Sequence, residues 1–188
     1  IDHALAAAAE WEDNEATVSL NLSALDFQHL DIAAALKTAC DAHGISPQRV
    51  EVEITEGEWI RASTTVLAQL SEIRALGVDV AIDDFGTGYS NFAYLHEIPA
   101  NVIKLDKSII TDLENKPRNC IIAQSIFQLA HRLGYRTVAE GIETVEEKGR
   151  VAYEMPTSRA SRAGSVLVHN IAVAARAGDN RVIAGPRE

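Results

Sequence analysis

The 188 residues include two cysteines, and neither belongs to a CxxC pair. Without clustered thiols there is no disulfide framework, and Cys40 and Cys120, each inside a helical-looking run, read as two buried thiols. The histidines at 3, 29, 43, 96, 131 and 169 never fall into HxxxH or a similar ligand spacing, so no zinc site can be argued from them. No apolar run approaches the roughly 18 residues of a membrane span, and the opening IDHALAAAAEWEDNE lacks the basic start and cleavage signal of a secretory peptide. A globular, cytoplasmic protein with no membrane span in this chain is the expectation. Positive charge is also scarce. With 17 Lys and Arg against 27 Asp and Glu, a net charge of −10 disfavours binding to a nucleic-acid polymer.

What is present is an apolar share of 47%, enough for the sizeable core of one ordinary domain. The charge is unevenly spread: 10 Lys and Arg against 24 Asp and Glu up to Glu147, then 7 against 3 from Lys148 onward. An acidic body and a basic tail of different composition imply a boundary near Lys148, with a domain over 1–147 and a divergent tail over 148–188.

Within the body, short runs rich in branched residues recur at about thirty residues, the length of a βα unit. They predict strands over Thr17–Ser23, Val50–Thr55, Val78–Asp84, Asn101–Asp106 and Arg136–Gly141. Between them, DIAAALKTACDAHG, TTVLAQLSEIRALG and NCIIAQSIFQLAHRLG have helical spacing and end on Gly44, Gly77 and Gly134, where a left-handed C-terminus wants glycine. Alternating strands and helices imply a parallel α/β sheet with both faces covered, either a barrel or an open doubly wound sheet.

The polar residues then acquire positions. Asn21, Glu53, Asp83 with Asp84, Lys104 and Glu140 lie at or near the carboxyl ends of five successive strands, the rim on which a (βα) barrel builds its active site. The segment AIDDFGTGYS is the most telling. Two adjacent carboxylates repel each other, burying them unpaired is costly, and a divalent metal would satisfy them best. The plainer reading is a strand end and turn, with Asp83 or Asp84 capping the next helix and Gly86 and Gly88 as turn glycines.

In this order, NLSA, EITE, DDFGTGYS, IKLDKSII and VAEGIET resemble the EAL domain of bacterial cyclic di-GMP phosphodiesterases, from Ile1 to about Glu147. The resemblance implies a (βα)8 TIM-barrel-like fold with about five of its eight strands recognisable, and divalent-metal-dependent hydrolysis of cyclic di-GMP to linear pGpG. By the same resemblance Asn21, Glu53 and Asp83 are ligands of Mg²⁺ or Mn²⁺, and Asp84 is a ligand of a second metal. Lys104 matches the lysine that holds the attacking water or the developing charge, and Glu140 the acid beside water and metal. Glu56 and Glu143 match supporting residues, Glu56 holding the DFGTGYS loop. The chemistry is coherent, because an anionic phosphodiester resists attack until its charge is neutralised, and hard divalent ions prefer carboxylate and amide oxygens.

The departures carry equal weight. The sequence contains no EAL tripeptide, whose glutamate is a metal ligand in the family, and no QGY-like motif, whose glutamine contributes to the site. The stretch EEKGRVAYEMPTSRASRAGSVLVHNIAVAARAGDNRVIAGPRE replaces the expected final helix and strand. An out-of-frame end accounts for so abrupt and charge-inverting a switch better than recombination or an unusual natural tail, and a third reading keeps Ser165–Ala175 as a makeshift last strand. The open edges of a partial sheet invite another chain, a homodimer included. Three outcomes follow: a phosphodiesterase of impaired activity, a degenerate module that binds cyclic di-GMP or a protein partner without turnover, or a chain with no stable fold of its own.

Overall fold

Along Val50–Thr55 the side chains alternate without a break: Val50, Val52 and Ile54 are buried against helices, while Glu51 and Glu53 turn to the opposite face. In a computed structural model of the chain this segment is β2 of a six-stranded sheet. Its companions are β1 (Val18–Asn21), β3 (Asp79–Phe85), β4 (Val102–Leu105), β5 (Arg136–Ala139) and β6 (Val166–Val168). The structure describes residues 1–11, 16–59, 62–87, 95, 97–110, 117–140 and 166–168. Each strand pairs in parallel with the next, and the spatial order is the chain order. A doubly wound sheet reverses its order at a switch point, so the unbroken order is that of a barrel wall.

All five expected strands are present, with ends moved by a residue or two. β6 falls inside Ser165–Ala175, pairing Thr137 with Val166.

The expected helices are α3 (Ile32–His43), α5 (Thr64–Ala75) and α7 (Pro117–Arg132). The Asp31 carboxylate accepts the Ala34 N–H at 2.9 Å at the start of α3, and Gly44 ends that helix at φ +67°. Such an N-cap contributes about 1 kcal/mol. Sequence periodicity does not reveal α1 (Asp2–Ala9), α2 (Ala24–His29), α4 (Glu56–Trp59) or α6 (Lys107–Ile110). Three of these are too short to repeat a 3.6-residue pattern, and in α1 the alanine run gives little contrast between faces.

One continuous core joins the helices to one face of the sheet: Leu5, Leu36, Leu70, Ile73 and Ile126 pack with Val50, Val52, Val80, Ile82, Ile103 and Leu105. Each such side chain, fully buried, contributes roughly 1.5–3 kcal/mol. Right-handed crossovers in one direction place all the helices on that face. The other face carries a separate small cluster, Ala81, Val102 and Val138, and the charged side chains. It is the inner wall of the barrel arc. Cys40 is buried in α3 as expected, whereas Cys120 is only half-buried, because it sits in the first turn of α7 near the helix end. Among the described residues no helix is long and apolar enough to cross a membrane.

Candidate functional site

Period-two alternation decides which polar residues reach the inner face. Asn21 is the last residue of β1 and lies in register with Glu53, which in turn lies opposite Ala81. Asp83 and Asp84 fall near the end of β3, and Lys104 is the penultimate residue of β4. Glu140 follows β5 directly, its N–H donated to the Leu105 carbonyl at 3.1 Å, so it continues the ladder beside β4.

Four strands meet at Lys104. Its Nζ lies 2.8 Å from Glu53, 2.7 Å from Glu140 and 3.5 Å from Asp83. Side-chain exposure is 10% for Lys104 and 4%, 16% and 24% for Glu53, Asp83 and Glu140, so the group is largely withdrawn from water. Burial pulls the ammonium pKa down, but Glu53, Asp83 and Glu140 together outweigh it and hold Lys104 above its ordinary value. For Asp83, burial is the largest influence and pushes the carboxyl up to about 6; Lys104 opposes the rise, while Glu53 and Glu140 add to it. Three carboxylates around one ammonium leave the site net negative, an attractive place for a further cation.

The adjacent acids do different things. Asp83 faces Lys104, whereas Asp84 is exposed and adopts φ +53°, its carbonyl accepting the Thr87 N–H at 3.3 Å and the Thr87 hydroxyl at 2.9 Å. Gly86 then turns at φ +97° and donates its N–H to Glu56 Oε2 at 2.9 Å. Glu56, 3% exposed at the start of α4, thereby ties the end of β2 to the loop after β3. Glu143 lies outside the described residues, as do Gly88, Tyr89 and Ser90.

The donors fit a hard divalent cation in kind: two carboxylates and an amide on adjoining strand ends, with Asp83 Oδ1 buried and without a hydrogen bond. Among the described residues no three Asp, Glu, His or Cys side chains already converge as a cation cage. The ammonium of Lys104 stands among the carboxylates instead.

Two further groups escaped sequence reasoning. Glu58 accepts the Ala24 N–H at 3.2 Å and the Thr55 hydroxyl at 3.4 Å, fixing the loop after Asn21 against β2. At the amino ends of the strands, Asp79 binds Arg136, accepts from Asn101 Nδ2 at 2.7 Å and lies 3.7 Å from Arg74. Near it, burial pushes Glu51 up to about 7, with the Glu53 charge adding to the rise. The period-two face shared by Glu51 with Glu53, and by Asp79 with Asp83, was the available signal.

A family model described as the EAL domain matches residues 1–152. The chain belongs to the EAL family. A cyclic di-GMP phosphodiesterase of Pseudomonas aeruginosa, PA2567, is 40% identical over 144 residues, covering 76% of this chain and 24% of that protein. The signaling protein YkoW of Bacillus subtilis is 36% identical over 153 residues, 79% of this chain and 19% of its own length. The chain therefore spans about a quarter or less of these curated EAL relatives. Among solved EAL structures, the PaMucR phosphodiesterase in complex with c-di-GMP superposes with TM-score 0.73 at 31% identity, over 81% of this chain and 63% of that one. A Klebsiella pneumoniae BlrP1 manganese/cy-diGMP complex gives TM-score 0.72 at 30% identity, over 82% and 39%.

Proposed function

We propose that residues 1–147 carry most of the active site of a cyclic di-GMP phosphodiesterase, with Asn21, Glu53 and Asp83 holding Mg²⁺ or Mn²⁺ and Asp84 serving a second ion. The observation that carries this reading is the convergence of three acids, Glu53, Asp83 and Glu140, within 3.5 Å of the Lys104 ammonium. Such an ion, when bound, neutralises a phosphodiester and makes a water acidic enough to attack it. The chain's own residues supply the rest. Glu140, the most exposed of the three carboxylates, accepts the proton of the incoming water, and Lys104 offsets charge developing on the phosphate. Glu56 fixes the Gly86 turn, so the loop that presents Asp84 keeps its shape.

A second reading, a degenerate module that binds cyclic di-GMP or a protein partner, is favoured by the described acids, of which no three converge as a cation cage. Equilibrium binding of cyclic di-GMP, with product analysis in the same samples, separates the two. Binding that requires Mn²⁺ and Glu53, with at least slow pGpG release, supports the enzyme. Cation-dependent binding without any pGpG supports the module, and no binding in either condition contradicts both.

A further inference from the structure

We propose that Lys104 is the built-in counter-cation of this carboxylate ring, and that a divalent ion enters in competition with its ammonium. The inference rests on the phosphodiesterase reading in one respect only, that Glu53 and Asp83 are cation ligands.

An ammonium has three N–H donors and no acceptor. The ammonium of Lys104 lies 2.8 Å from Glu53 and 2.7 Å from Glu140, while Asp83 Oδ1 stands 3.5 Å away without a hydrogen bond. Three carboxylates this close would repel one another, and buried charge without a partner is strongly unfavourable. Lys104 therefore balances the charge of the ring, as a divalent ion would. A divalent ion needs several oxygens at about 2.0–2.6 Å, and one Glu53 oxygen, Oε1, is already turned to the ammonium.

Both cations cannot share the ring at their preferred distances, because their mutual repulsion is large where water is scarce. Lysine suits an exchange of this kind better than arginine would, since a compact charge on a flexible four-carbon stem can withdraw without leaving the site. Glu140 is the natural place for it to go. It is the most exposed of the three acids, so Lys104 stays paired there while Glu53 and Asp83 turn to the metal. The exchange also accounts for a site rich in acids in which, among the described residues, no three of them stand ready as a cage.

The consequence is a sign opposite to that of an ordinary supporting residue. Removing the lysine charge weakens the metal-free fold and strengthens metal binding. Mn²⁺ affinity, read from the electron paramagnetic resonance of free Mn²⁺, should be compared in the full chain, Lys104→Met, Lys104→Gln and Glu53→Gln. Thermal unfolding is then recorded in chelator and in saturating Mn²⁺. Both lysine variants should bind Mn²⁺ at least about tenfold more tightly than the parent. Their Tm should fall in chelator and rise more on Mn²⁺ addition than the parent's.

Lys104→Gln keeps an amide NH2 with two N–H donors, so it serves where Lys104→Met fails to fold. Variants that fold only with Mn²⁺ are the extreme form of the expected result. Equal or weaker Mn²⁺ binding, or an equal loss of stability with and without Mn²⁺, makes Lys104 a merely structural cation and overturns the inference. A parent whose Mn²⁺ binding is indifferent to Glu53→Gln overturns the metal reading of the site itself, which is a separate failure.

Discussion

The buried carboxylate of Glu56 accepts the backbone N–H of Gly86 at 2.9 Å, so the first residue of α4, directly after β2, sets the turn after β3. Its other oxygen, Oε1, is buried without a hydrogen bond. Glu56→Ala leaves the Gly86 N–H without its acceptor, which costs about 1–3 kcal/mol. Glu56→Gln keeps an acceptor and should lose less than half as much. Urea denaturation of both variants checks this; equal losses would mean that the hydrogen bond is not what Glu56 contributes.

Gly86 is held at φ +97°, and a Cβ there would run into Ile109 Cδ1. The methyl end of Ile109 can move aside, but the backbone angle cannot. Gly86→Ala should therefore cost at least about 1–2 kcal/mol from the left-handed backbone alone. Placing it in an Ile109→Val background, where the colliding atom is gone, should recover only part of the loss. Full recovery would assign the whole effect to the collision.

Glu51 has a folded pKa raised from 4.5 to about 7, chiefly by burial. A raised acid binds its proton more tightly in the fold, so the folded state loses ground as pH climbs from the unfolded value toward the folded one. The stability advantage of Glu51→Gln over the parent should grow between pH 4.5 and about 7 and then level off. Denaturation midpoints across that range in the presence of chelator read it directly. An advantage that shrinks with rising pH would contradict the burial of Glu51.

Asp79 anchors Arg136 and Asn101 at the amino ends of the strands, away from the Lys104 group. In barrels that end serves stability. Breaking a buried charge pair by removing one partner costs about 3–5 kcal/mol, and Asp79, with a side chain 17% exposed, should fall toward the lower end for Asp79→Ala. Mn²⁺ affinity per folded molecule should stay unchanged. A Mn²⁺ defect larger than the stability defect would join the two ends of the inner face into one site.

The alternation of parallel strands and helices was legible because its signals are local and repeated, whereas the choice of a barrel over a doubly wound sheet came from the family resemblance. β2 shows the alternation of Val50, Val52 and Ile54 with Glu51 and Glu53, and the Asp31 cap and Gly44 bracket α3. The strand ends bearing Asn21, Glu53, Asp83, Lys104 and Glu140 followed from the same spacing. What escaped was what spacing cannot express. Nothing in IKLD tells that the lysine stands among three acids from neighbouring strands, since that depends on register between β2, β3, β4 and β5. The divergence of Asp83 from Asp84 depends on one positive φ at Asp84, and the partners of Asp79 come from residues 74, 101 and 136. Glu143 was expected beside the site and falls outside the described residues.

On the proposed function, turnover at the Lys104 group also needs the EAL glutamate and the QGY-like glutamine that the family resemblance implies. The most direct measurement is Mn²⁺-dependent pGpG release from cyclic di-GMP by the chain alone, with either motif-bearing segment grafted from an active EAL relative, and with both. A displacement on the order of 1 Å among reacting groups can cost about a hundredfold in rate, so either graft alone should remain nearly inactive. The double graft should turn over, and Lys104→Ala within it should abolish most of that activity. Robust turnover by the unmodified chain, or a folded, Mn²⁺-binding double graft that releases no pGpG, would contradict the account.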